Sequence, residues 1–251
     1  MHLDPAEQRK SMVRSQIMRR GICAPALTDA LGRVPREQFV PAELAEFAYE
    51  DSALPIQEDQ TISQPYIVAL MINALELDDV DRVLEIGTGS GYAAAVLAEL
   101  AAEVFTIERQ RGLCDSARAR LERLGYRKVQ VRCGDGTKGW PEAAPFDAIV
   151  VAAGGPKVPQ SLREQLAIGG RLVIPVGDEG SQQLLRVRRT GDDSYEEDDL
   201  GAVRFVPLIG EEGWGASGRA MAQGRSASLA RPAPRPTLTR HYGRKEAATS
   251  G

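Results

Sequence analysis

The chain has 251 residues, of which 43% are hydrophobic and 26% charged, so it is long enough for one domain with a buried core. Its net charge of −4 gives no general attraction to nucleic acids or anionic membranes, and no apolar run reaches the roughly 20 residues of a membrane span. The N-terminus lacks the pattern of a secretory signal. Three cysteines without paired spacing indicate a reducing compartment and argue against a disulfide framework or a zinc site. We therefore expect a cytoplasmic protein without a metal.

Residues 1–80 predict a helical cap followed by a loop. Two helices and an irregular, proline-broken connection are expected over residues 5–20, 25–32 and 33–41. A polar loop at 54–65 then leads into a helix. Ser63 is expected to be the N-cap of that helix, with Pro65 in its first turn.

From residue 81 onward the pattern changes to strands that alternate with helices. Strands are expected near 82–86, 104–107, 129–132, 148–151 and 171–175, and helices near 92–101, 110–124 and 160–166. Several of these strands are continuously apolar, as strands with helices on both faces are. The alternation predicts an α/β fold with a doubly wound, mostly parallel sheet.

The last part of the core predicts an antiparallel hairpin at the edge of the sheet. Its strands are expected at 183–190 and 202–208, which brings the sheet to seven strands, and the acidic run 191–199 is interpreted as a solvated connecting loop. The predicted core thus covers 81–214. Residues 215–251 are rich in Ala, Gly, Ser, Pro and Arg and predict a disordered basic tail.

A glycine turn after the first core strand organises the predicted site. Gly87, Gly89 and Gly91 follow the spacing G-x-G-x-G, whereas the dinucleotide fingerprint G-x-G-x-x-G would place its third glycine at Tyr92. This spacing argues against a nicotinamide-dependent oxidoreductase. With an acid at Glu85, the turn resembles that of class I methyltransferases, whose S-adenosylmethionine carries a cationic amino-acid end that carboxylates can neutralise.

Two further acids follow the next two predicted strands. Glu108 ends the second strand, where a carboxylate can accept both hydroxyls of a ribose, and Asp135, followed by Gly136, comes after the third, where it can accept from an adenine amino group. Ligands of open α/β sheets bind at the carboxyl ends of the strands, where all three acids are expected.

Beyond the glycine turn, the chain resembles the protein-L-isoaspartate O-methyltransferase family over about residues 5–214. The matching segments are 12–17, 34–41, 60–66, 83–92, 134–136, 146–149, 169–177 and 203–208. Thr61-Ile62-Ser63-Gln64-Pro65 is the most specific of them. The resemblance implies a Rossmann-like methyltransferase fold, S-adenosylmethionine as cofactor, and methylation of isoaspartyl residues in damaged proteins, which initiates repair through a succinimide. A monomer that acts on isoaspartyl proteins and peptides is expected.

The resemblance also implies roles for individual residues. Ser63 is the expected catalytic residue, on a loop that closes over cofactor and substrate, and Thr61 and Ile62 lie against the methionine end. The expected cofactor-binding residues are Thr61, Ile62, Glu85, Gly87, Gly89, Gly91, Glu108, Asp135 and Gly136.

The chain departs from the family just before Gln60. Gln57-Glu58-Asp59 stands where the family usually has a Gly-His-Gly-like segment, which puts two acids near the expected entry of an anionic substrate. This departure leaves open a carboxyl methyltransferase that acts on an aspartyl residue of a specific peptide. A non-catalytic cofactor-binding scaffold is a further alternative, against which the intact set of Ser63, Glu108 and Asp135 argues.

Overall fold

The computed structural model describes residues 4–215, in which a small hairpin accompanies a seven-stranded sheet. The hairpin pairs β1 (Leu54–Pro55) with β2 (Thr61–Ile62). The strands of the large sheet are β3 (Arg82–Ile86), β4 (Glu103–Glu108), β5 (Val129–Cys133), β6 (Phe146–Val151), β7 (Leu166–Asp178), β8 (Ser181–Arg189) and β9 (Tyr195–Val203). The predicted basic tail lies outside the described residues from residue 216 onward.

Helices flank the large sheet and build the N-terminal cap. They are α1 (Pro5–Met12), α2 (Pro25–Arg33), α3 (Pro65–Ala74), α4 (Tyr92–Ala98), α5 (Arg111–Arg123) and α6 (Gln160–Glu164). A π-helical turn (Val13–Ile17) and a 3-10 turn (Met18–Arg20) continue α1, and further 3-10 turns form at Arg36–Phe39 and Ala42–Phe47. No helix within residues 4–215 has the length and hydropathy of a membrane span.

The sheet has the order β5-β4-β3-β6-β7-β8-β9. The first five strands in this order are parallel, and β8 and β9 continue the sheet antiparallel. The chain winds outward from β3 in one direction and then returns to add β6 on its other side. The carboxyl ends of β3 and β6 therefore form the switch point at which such sheets bind ligands. The predicted fold class, edge hairpin included, is confirmed.

Alternating residues of β3 divide the core between the two faces of the sheet. Val83 packs with the cap helices, α3 and α4, whereas Leu84 and Ile86 pack with Leu162 of α6. The cap residues thus share one hydrophobic cluster with the sheet. Leu54 and Ile62 of the hairpin belong to the same cluster.

The prediction that the acidic run 191–199 is a connecting loop was wrong. Its second half forms the edge strand β9, which starts at Tyr195 and ends at Val203, so the last strand is not 202–208. The acids pair with basic residues across the strands: Asp198 lies opposite Arg186, which binds it at 2.7 Å, and Glu196 lies opposite Arg188. Cross-strand pairs of opposite charge stabilise a sheet, and they compensate for the low β-propensity of the acids.

The expectation that the cysteines are unpaired was also wrong for two of them. Cys114 of α5 and Cys133 at the end of β5 form a disulfide across 19 positions of the chain, while Cys23 is free and exposed. The two residues meet because α5 crosses over and packs on β5. This tertiary contact leaves no mark in the spacing of the cysteines.

Candidate active site

The glycine turn joins β3 to α4 at the switch point of the sheet. Gly87 and Gly91 have φ angles of +92° and +89°, a region that residues with a Cβ seldom adopt. The turn is held by hydrogen bonds from the Gly87 amide to the Ile107 carbonyl and from the Gly91 amide to the Thr88 carbonyl, both at 2.8 Å. The predicted sequence of strand, turn and helix is present.

Glu108 is bonded directly to this turn. One carboxylate oxygen accepts from the Gly89 amide and the other from the Gln110 amide, each at 2.9 Å, and the residue is 6% exposed. The carboxylate thus lies at the end of β4 beside the turn, as predicted. Its remaining lone pairs are available to hydroxyl donors.

Glu85 lies deeper than a ligand-contacting residue would. Its side chain is 1% exposed and accepts a 2.5 Å hydrogen bond from the Thr106 hydroxyl, which also bonds the Thr88 hydroxyl at 2.6 Å. Burial raises the pKa of Glu85 to about 8; Thr106 opposes this shift and the charge of Glu108 adds to it. Glu85 therefore supports the turn from beneath through two buried threonines.

Asp135 is held by neighbouring protein groups. One of its oxygens accepts from the amide and hydroxyl of Thr137 at 2.9 and 2.7 Å, and the other accepts from the Glu211 amide at 2.9 Å. Burial alone raises its pKa, but the hydrogen bonds from Glu211 and Thr137 outweigh burial and leave the pKa below its usual value. Asp135 lies just after β5 and anchors the segment that follows β9. At Gly136 a Cβ would overlap Ile86, so only glycine fits there.

The β1–β2 hairpin lies over the glycine turn. A Cβ on Gly89 would lie 3.6 Å from Ile56 Cδ1, and one on Gly112 would lie 2.7 Å from the Glu58 carboxylate. Ile56 of the hairpin therefore lies close to Gly89, and Glu58 lies close to Gly112 in the first turn of α5. This proximity brings the expected acceptor residues near the expected cofactor residues.

Ser63 follows this hairpin directly, but it is not the N-cap of α3 as predicted. The cap position is Gln64, whose carbonyl accepts from the Val68 amide at 3.2 Å, and no side chain caps the helix. Ser63 is half-buried, Thr61 is exposed and Ile62 is 4% exposed. Pro65 is the first residue of α3, so the cap is Gln64, the residue directly before it, and not Ser63. The Ser63 hydroxyl is thereby free of that structural role.

Several residues around the site were not predicted from the sequence. Thr88 and Thr106 link Glu85 to the turn, and a segment after β9 packs against Asp135 and Gly154, where Trp214 donates its indole N–H to the Gly154 carbonyl at 3.0 Å. Arg36, which donates to the Ser63 carbonyl, was also missed. A buried threonine or arginine has no pattern in a single sequence that separates it from an exposed one.

The residues at the carboxyl ends of β3 and β4 fit S-adenosylmethionine. The Glu108 carboxylate lies at the Gly89 amide of the turn, where it would attract a cationic ligand and repel a pyrophosphate. The Gly89 amide of the turn already donates to Glu108. The negative charge of Glu108 at the turn therefore favours a sulfonium nucleoside over a dinucleotide as the ligand.

Comparison with known proteins is consistent with this geometry. The family description "Protein-L-isoaspartate(D-aspartate) O-methyltransferase (PCMT)" matches residues 7–213. A protein-L-isoaspartate O-methyltransferase of Marinobacter nauticus is 61% identical over 212 residues, which cover 84% of this chain and 97% of the relative. One from Rhodopseudomonas palustris is 60% identical over 210 residues, covering 83% and 86%.

Two solved structures share the fold. A protein-L-isoaspartate O-methyltransferase superposes with a TM-score of 0.72 at 31% identity, covering 83% of this chain and 67% of that one. A Plasmodium falciparum protein described by the same activity and bound to S-adenosyl-L-homocysteine gives a TM-score of 0.68 at 25% identity, covering 80% and 98%. The chain therefore belongs to the protein-L-isoaspartate(D-aspartate) O-methyltransferase family, a family of S-adenosylmethionine-dependent enzymes.

Proposed function

We propose that the chain methylates the free carboxylate of isoaspartyl residues in proteins and peptides. The observation that supports this proposal is the proximity of the β1–β2 hairpin, which leads into Ser63, to the glycine turn at Gly89. In this proposal the segment specific to the family lies beside the site for the methyl donor. Membership of the family supports the same activity.

The chemistry asks little of the protein beyond positioning. An isoaspartyl carboxylate has a reference pKa near 4, so it is ionised near neutral pH and needs no general base. S-adenosylmethionine, when bound, supplies a methyl group on a sulfonium that is a good leaving group. The chain has to hold the attacking oxygen in line and exclude water, and such alignment lowers the barrier of a bimolecular reaction substantially.

In this proposal each residue has a separate task. Ser63 donates a hydrogen bond from its hydroxyl to the carboxylate oxygen that does not attack. This bond orients the other oxygen. Glu108 accepts from the ribose hydroxyls, and Asp135 accepts from the adenine amino group.

Three parts of the chain shape the site around these groups. Gly87, Gly89, Gly91 and Gly136 let the backbone approach the ligand, while Thr61 and Ile62 bound the methionine end. Glu85 would support the turn that holds the cofactor, through its hydrogen bond with Thr106 and the bond of Thr106 with Thr88.

One assay separates isoaspartyl repair from its alternatives. Tritiated methyl transfer is measured to an isoaspartyl peptide and to its aspartyl twin of the same sequence. We expect incorporation into the isoaspartyl peptide alone. Transfer to the aspartyl twin would favour a peptide-specific carboxyl methyltransferase, and the Gln57-Glu58-Asp59 segment is the feature that favours this second candidate. No transfer to either, with cofactor binding retained, would indicate a non-catalytic scaffold.

A monomeric, cytoplasmic enzyme completes the proposal. The sparse cysteine content supports a reducing compartment, while the Cys114–Cys133 disulfide counts against one. Cell fractionation and size-exclusion chromatography test these two points, and recovery outside the cytoplasm or as a dimer would contradict them.

A further inference from the structure

The cap carries a deeply buried cation close to Ser63. Arg36 begins the 3-10 turn Arg36–Phe39, and it is the largest of the fully buried side chains, with 0% of its surface exposed. A guanidinium keeps its charge at any pH at which proteins fold. Burial of a charge is costly unless hydrogen bonds and polarisable neighbours compensate for it, so a position of this kind requires defined partners.

The partners of Arg36 come from three different parts of the chain. Its Nε donates to the Ala48 carbonyl at 2.7 Å, and its Nη2 donates to the Ser63 carbonyl at 2.8 Å. The guanidinium carbon lies 4.7 Å from the ring centroid of Tyr92, within the range of a cation–π contact. Nη1 has no partner among residues 4–215.

Two of these partners belong to the two halves of the proposed site. Tyr92 is fully buried and is the first residue of α4, directly after Gly91 of the glycine turn. The Ser63 carbonyl belongs to the residue whose hydroxyl is expected to orient the acceptor. One rigid, planar group therefore spans from the methyl-donor turn to the acceptor residue.

We propose that Arg36 is a positioning residue for methyl transfer, which fixes Ser63 relative to the glycine turn through the Ser63 carbonyl and the Tyr92 ring. It does not touch the reacting atoms, and the inference rests on the proposed function of Ser63. A hydrogen bond to the carbonyl of Ser63 restrains the backbone on which the hydroxyl is carried. Displacement of an aligned group by about 1 Å can cost about a hundredfold in rate.

Arg36→Lys is the first variant to test. Lysine keeps the positive charge but has no planar guanidinium that can donate to the Ala48 and Ser63 carbonyls from two nitrogens. We expect kcat on the isoaspartyl peptide to fall by about tenfold or more, with the dissociation constant for S-adenosylhomocysteine changed by less than about threefold. We expect kcat to fall further in Arg36→Ala than in Arg36→Lys. If Arg36→Ala does not fold, the lysine variant carries the test.

Val187→Ala is the matched control. Val187 of β8 is fully buried in the core cluster on the other face of the sheet, so its truncation destabilises the protein without touching the hairpin. Its kcat per folded molecule is expected to equal that of the wild type. Amide hydrogen exchange supplies a readout that a general loss of stability does not reproduce. Exchange over residues 61–64 is expected to accelerate about tenfold in Arg36→Lys and to stay unchanged in Val187→Ala.

Wild-type kcat and wild-type exchange over 61–64 in Arg36→Lys would overturn the positioning role. So would an equal loss of kcat in the lysine variant and in Val187→Ala, because the effect would then follow stability alone. An inactive wild-type protein would instead refute the proposed function. In that case the exchange comparison still decides whether Arg36 restrains the Ser63 segment.

Discussion

Glu108 and Gly89 are joined by a 2.9 Å hydrogen bond from the Gly89 amide to the Glu108 carboxylate. The bond connects the end of β4 to the middle of the glycine turn, and the second carboxylate oxygen accepts from the Gln110 amide. Glu108 therefore shapes the turn and presents a negative charge at the same point.

Replacement of Glu108 by alanine should weaken cofactor binding. The variant loses the proposed acceptor for a ribose and leaves two backbone amides without their partner. Because hydrogen bonds to a charged group are worth about 1.5–3 kcal/mol, the dissociation constant for S-adenosylhomocysteine should rise about 10- to 100-fold. Calorimetry measures this change. Glu103→Ala removes an acid from the opposite end of the same strand and is the control; equal affinities for the two variants would contradict the assignment.

Glu85 should make the stability of the protein fall as pH rises. Burial raises its pKa to about 8 in the folded state, against about 4.3 in an unfolded chain. Below pH 4 both states hold the proton, and between about pH 4.3 and 8 only the folded state does. In that window Glu85 lowers the free energy of unfolding by up to about 1.4 kcal/mol per pH unit, and above pH 8 its contribution is constant.

Glu85→Gln removes this proton linkage while it keeps an acceptor for Thr106. Urea unfolding at pH 5, 6, 7 and 8 should show the stability of the variant increasing relative to the wild type as pH rises. Glu103→Gln, which makes the same substitution at a half-exposed position of β4, is the matched variant for comparison. Parallel stability curves for Glu85→Gln and the wild type would mean that Glu85 is ionised in the folded protein.

The tip of the hairpin is strained at Glu58 and Asp59. Glu58 and Asp59 have φ angles of +59° and +55°, and the Gln60 amide donates to the Gln57 carbonyl at 3.2 Å. Two consecutive positive φ angles are the requirement of a type I′ turn, which favours glycine, asparagine and aspartate. Glu58→Gly should therefore raise the free energy of unfolding by about 1 kcal/mol. Gln57→Gly, at a position without a positive φ, should lower it, and a loss in both variants would argue against strain at Glu58.

The charges of the same turn should repel an anionic acceptor. Asp59→Asn keeps a residue that tolerates the left-handed region and removes one exposed negative charge. We expect KM for an isoaspartyl peptide with acidic neighbours to fall by about two- to fivefold at low salt, and the difference to shrink at high ionic strength. A KM that does not respond to the substitution or to salt would show that the substrate does not pass this turn.

Local patterns were sufficient to predict the parallel core. The apolar strands, the intervening helices and the glycine turn each have a period or spacing that is visible in one sequence, and so does the placement of Glu108 at a strand end. The edge strand β9 was missed because Glu196 and Asp198 become compatible with a strand only when the basic residues of β8 face them. Cys114 and Cys133 were missed for a similar reason, since α5 and β5 meet only in the folded protein.

The orientation of side chains within the site also depends on the tertiary structure. The sequence places Glu85 beside the turn, but only the packing of β3 against β4 turns it toward Thr106 and away from solvent. Arg36 stands in the proline-broken connection predicted at 33–41, and only the fold encloses it between the Ser63 carbonyl and the Tyr92 ring. Polar residues that become buried are the class that hydrophobic periodicity cannot detect.

The central claim is that Ser63 orients the acceptor carboxylate and takes no part in holding the methyl donor. Methyl transfer from S-adenosylmethionine to an isoaspartyl peptide by Ser63→Ala, with the affinity for S-adenosylhomocysteine measured on the same preparation, tests it most directly. Loss of a hydrogen bond to a charged carboxylate should lower kcat/KM by about 10- to 100-fold while the affinity stays within about twofold of the wild type. Unchanged turnover, or a loss explained entirely by weaker cofactor binding, would contradict the role of Ser63.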